Sequence, residues 1–71
     1  MKVYEFHFHA DWQGGMVIVA ANTKAKALEI GKNKAIAEAG ENSYECAINL
    51  LKGVTADRKK PEVLAMEHWC I

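Results

Sequence analysis

This sequence has little of what usually announces a function. It has only two cysteines, Cys46 and Cys70, and they form no C-x-x-C. That spacing excludes zinc-ribbon and thioredoxin-type motifs. There is no H-E-x-x-H and no cluster of Cys and His at metal-ligand spacing. Charge of either sign is not in excess, because nine Lys and Arg balance nine Asp and Glu. A neutral chain builds no net field toward nucleic acid or an anionic membrane. The longest apolar run, Met16–Ala21, falls far short of the ~20 residues a membrane helix needs. The opening Met-Lys-Val-Tyr-Glu has no signal-peptide core, so a cytoplasmic location is expected. In that reducing setting the two thiols are expected to be free and to act as small apolar groups.

What is present suits one small α+β domain over residues 1–71. A chain this short buries only about 60% of the surface it exposes when unfolded. Its net stability rarely exceeds ~3–5 kcal/mol, and such chains often lean on an oligomer. Lys2–Ala10 alternates, with Tyr4, Phe6, Phe8 and Ala10 on one side and Val3, Glu5, His7 and His9 on the other. That is the period of a half-buried strand. Asp11–Gly15 reads as a turn in which the paired glycines take positive φ, and Met16–Ala21 as the second strand of a hairpin. Asn22 and Thr23 offer an N-cap, and Lys24–Ala39 carries good helix formers up to Gly40 at the C-terminal cap. The expected apolar stripe of this helix is Ala25, Leu28, Gly31, Ala35 and Ala39, with Ile36 at its margin.

Tyr44–Leu51 fits either a strand or a helix face, and the turn-rich stretch from Gly53 to Pro61 favours strand. Glu62–Cys70 reads as another strand, with Pro61 at an acceptable position before it. The expected order is β-β-α-β-β, with β-β-α-α-β as the alternative. The expected sheet is four-stranded and antiparallel, in the order 2-1-3-4, with one helix on one face. Parity places Tyr4, Phe6, Phe8, Cys46, Ile48, Leu50, Leu64, Met66 and His68 on the helix side. It places Val3, Glu5, His7, His9, Asn49, Leu51, Val63, Ala65, Glu67 and Trp69 on the opposite face. That face is joined by either Val17 and Val19 or Met16 and Ile18.

The stretch "GGMVIVAANTKAK", Gly14–Lys26, resembles a pattern in small uncharacterised bacterial and mobile-element proteins. They share a Gly-Gly turn, an aliphatic strand ending in Ala-Ala, and a capped helix. The later "KGVTADRKKPEVLAMEHW" adds to the likeness. The resemblance carries folding signals and brings no activity, cofactor or site residue.

A single helix leaves the second sheet face bare, and here that face is not simply polar. The leading expectation is a non-enzymatic interaction or accessory module, a homodimer or a partner-binding protein. Its contact residues are expected to be His7, His9, Val63, Ala65 and Trp69. A second expectation, from a different class, is a metal site on Glu5, His7 and His9. His-x-His on a strand sets two imidazoles on one face roughly 7 Å apart, and Glu5 shares it. A third is nucleic-acid binding through Lys24, Lys26, Lys32 and Lys34, with Arg58, Lys59 and Lys60 nearby and Trp12 to stack on a base. The neutral chain argues against it. His68 and Cys46 are expected to be neighbours in the core, where a buried thiol is inert. No catalytic residue and no cofactor is indicated.

Overall fold

The computed structural model describes residues 1–70, except for the side chain of Cys70. The elements run β1 (Lys2–Ala10), β2 (Gln13–Ala21), α1 (Lys24–Ala39), β3 (Tyr44–Thr55) and β4 (Glu62–Cys70). The fold is α+β: four antiparallel strands and one helix. No helix of the described residues is long and apolar enough to cross a membrane.

The sheet order is β3-β1-β2-β4. β1 lies between β2 and β3, as expected, but β4 pairs with β2 where the sequence suggested β3. The reason is legible in strand two itself. Val17, Val19, Ala20 and Ala21 are fully buried, and a continuous apolar run of this kind belongs in the interior of a sheet. An order of 2-1-3-4 would have put it on an edge. The connection Ala56–Pro61 is long enough for the crossing. Three strand spacings are about 14 Å, and six extended residues reach about 20 Å.

β1 and β2 meet in a tight hairpin, since Ala10 pairs with Gln13 and only Asp11 and Trp12 intervene. The positive φ in this turn belongs to Trp12, at 60°, and not to the paired glycines. Gly14 and Gly15 lie inside β2, which starts three residues earlier than expected. Gly15 faces Phe8 across the ladder, and a Cβ there would sit 2.4 Å from the Phe8 ring and 2.7 Å from the Glu67 carbonyl oxygen. Glycine here makes room for an aromatic ring.

α1 is capped by Thr23, whose hydroxyl accepts a hydrogen bond from the Lys26 amide at 3.2 Å. At the other end the Gly40 amide donates to the Ile36 carbonyl. Ala27, Gly31 and Ala35 are its buried residues. They recur every four positions, so the helix sets a small-residue row against the sheet. Ala25, expected in that row, is exposed, and Leu28, Ile30 and Ala39 flank the core. The helix lies mainly over β2 and β1. The core is therefore Tyr4, Phe6, Phe8, Val17, Val19 and Ala21 from the sheet with Ala27 and Ala35 from the helix.

Candidate interaction surface

The register sorts the sheet's second face into rows. Met16 pairs with His7 and Ile18 with Glu5, so Met16 and Ile18 are the strand-two residues on this face. The middle rows read Ala47, His7, Met16, Glu67 and Asn49, Glu5, Ile18, Ala65 from β3 to β4. The row nearest the hairpin tip reads Tyr44, His9, Gly14, Trp69. The Tyr44 and His9 ring centroids are 6.1 Å apart. Tyr44 is 59% exposed and Trp69 50%. Gly14, between them, has no side chain to fill the row. A shallow cleft of about 340 Å³ opens beside it, bordered by His7, His9, Ala47, Asn49 and Trp69. Val3 and Ala20, opposite each other toward the far end of the face, are buried rather than bare.

Strict alternation from Ile48 would turn Tyr44 to the helix side, but the structure turns it to the open face. The ladder to β1 shifts register between His7 and Phe8, where Ala47 and Glu45 are the successive partners. A bulge of one residue at Cys46 turns Tyr44 to the open face. Nothing in the residue types marks that bulge.

The expected contact residues separate. His7, His9, Ala65 and Trp69 share the open face. Val63 does not, because β4 shifts register between the partners of Ile18 and Val19. Val63 thereby pairs with Val19 and packs against the core on the helix side. His68 pairs with Gly15 and lies on the helix side near Glu38. Cys46 is exposed on β3, at the opposite edge of the sheet, so the expected Cys46–His68 contact does not form. The Cys70 thiol lies outside the described residues.

Glu5 and His7 are brought together, with Nε2 of His7 and Oε1 of Glu5 at 2.6 Å. Each is about a third exposed. His9, two residues further along, turns its ring toward Tyr44 instead. Among the described residues, no three His, Cys, Asp or Glu side chains converge to hold a metal ion. The helix lysines are on the other side of the sheet from the aromatic row. Lys26 and Lys34 are engaged by Glu29 and Glu38. The hydrogen bond from Lys34 holds the Glu38 carboxyl below its usual range. The helix lysines and the aromatic row thus do not share a surface, as a nucleic-acid site built on both would require.

Among the described residues the core holds no charged side chain, and Tyr4 is its one member with a polar group. The chain matches no family model, no curated protein and no solved structure.

Proposed function

We propose that the protein is a non-enzymatic interaction module that docks another protein on the open face of its sheet. The carrying observation is the row Tyr44, His9, Trp69 beside Met16 and Ile18. Trp and Tyr are the residue types that dominate binding energy at protein interfaces, where each anchor contributes roughly 2 kcal/mol or more. The Glu5–His7 pair gives the same face a polar group that orients a partner. Among the described residues, the aromatics of the helix-covered side, Tyr4, Phe6 and Phe8, are buried in the core.

The test is recovery from the native host of the tagged wild-type chain, a Trp69→Asp variant and a Lys32→Glu control on the helix. A protein held in stoichiometric amount by wild type and control, and lost with Trp69→Asp, is the expected result. Truncating such an anchor should weaken the purified complex roughly thirtyfold. If Trp69→Asp retains everything that wild type retains, the open face is not the docking surface.

A further inference from the structure

We propose that two copies of this chain pair through the outer edges of β3, antiparallel about a twofold axis at Asn49, to give one continuous sheet of eight strands.

β3 is an edge strand, and its residues are almost all exposed. Proteins that stay single blunt such edges with charge, proline or bulges. The other edge follows that rule: β4 is preceded by Pro61 and carries Glu62 and Glu67. β3 does not. Its segment Cys46–Leu51 has no charge and no proline, and its ladder to β1 is regular from Ala47 to Leu50. The register shifts fall on either side of that stretch and leave it straight.

The segment is also complementary to itself. In an antiparallel symmetric pair, directly opposed residues share a face, so the axis must pass through a residue. Placed at Asn49, it sets Ile48 of one copy against Leu50 of the other, twice, on the helix side. Both are apolar there, and Leu50 is 43% exposed because α1 lies over β1 and β2. On the open side it sets Asn49 against its own copy, amide to amide. Glu45 and Lys52 lie outside the regular stretch, so the pair is carried by Ile48, Asn49 and Leu50. An axis at Ile48 would instead oppose Leu50 to Cys46 and Leu51 to Glu45. Because the axis stands across the sheet, the two open faces lie on the same side and form one platform. The proposal uses different residues from the open-face reading, so each can fail alone.

The experiment is light scattering over a micromolar concentration series, with circular dichroism to confirm that each variant folds. Wild type is expected at twice the monomer mass. Asn49→Lys places two ammonium groups opposite each other in the dimer, while in the monomer its cross-strand neighbour is Glu5. It should weaken the dimer roughly tenfold or more and leave the fold intact. Trp69→Asp, at the far edge, should leave the mass unchanged. A wild type that stays monomeric across the series overturns the proposal. So does a dimer that survives Asn49→Lys, or one lost only with Trp69→Asp, which would be a face-to-face pair.

Discussion

Phe6 and Phe8 decide where glycine must stand in this molecule. Each lays its ring over a backbone that has no side chain, Phe6 on Gly31 of the helix and Phe8 on Gly15 of the neighbouring strand. A Cβ at Gly31 would be 2.6 Å from Cγ of Phe6, which is fully buried. Gly31→Ala therefore sets two effects against each other. The helix gains about 1 kcal/mol of propensity. The overpacked core loses about 1–3 kcal/mol. The loss should win, and the thermal midpoint should fall; a rise would show that the ring moves aside freely. Phe6→Leu in the same chain should recover part of the loss. The sequence puts Gly31 in the apolar stripe but gives no reason for glycine there, because the ring that needs it is far away in the chain. Trp12 was hidden for a similar reason. Two following glycines drew the turn toward themselves, whereas the left-handed residue is a tryptophan that is 82% exposed.

At the scale of elements the pattern was nearly sufficient. β1, α1 and β4 have the bounds that alternation, capping and proline placement predicted. The choice of strand for residues 44–51 also holds, and β3 runs on to Thr55. These features are local, written in side-chain period and cap chemistry. Bulges are not local. One at Cys46 put Tyr44 on the open face, and another removed Val63 from it. Two of the three rings in the aromatic row were thus legible, His9 and Trp69, and the third, Tyr44, depended on a register set by the neighbouring strand. The helix start offers a direct check. Thr23→Ala removes the side chain that accepts the Lys26 amide. The expected cost is about 1 kcal/mol, or a midpoint lower by roughly 4–8 °C. An unchanged midpoint would mean that the cap is idle.

For the whole molecule, the strand order was the part that local pattern could not supply. The non-alternating apolar run of β2 was visible, and it is the signature of a strand flanked on both sides. Its second neighbour is the last strand of the chain, which arrives across the full width of the sheet. Val63 and Met66 of that strand pack against the core. Full burial of such side chains is worth about 1.5–3 kcal/mol each, set against a net stability of ~3–5 kcal/mol. A chain cut before Glu62 should consequently show no cooperative melting and should sediment as aggregate. A shortened chain that melts cooperatively would contradict the role given to β4.

The same arrangement sets a clock. While the chain is being synthesised, the hairpin, helix and third strand all emerge before the piece that seals strand two. Until Glu62–Cys70 has emerged, strand two keeps one sticky flank open beside the ribosome, and closure of the sheet waits for that segment.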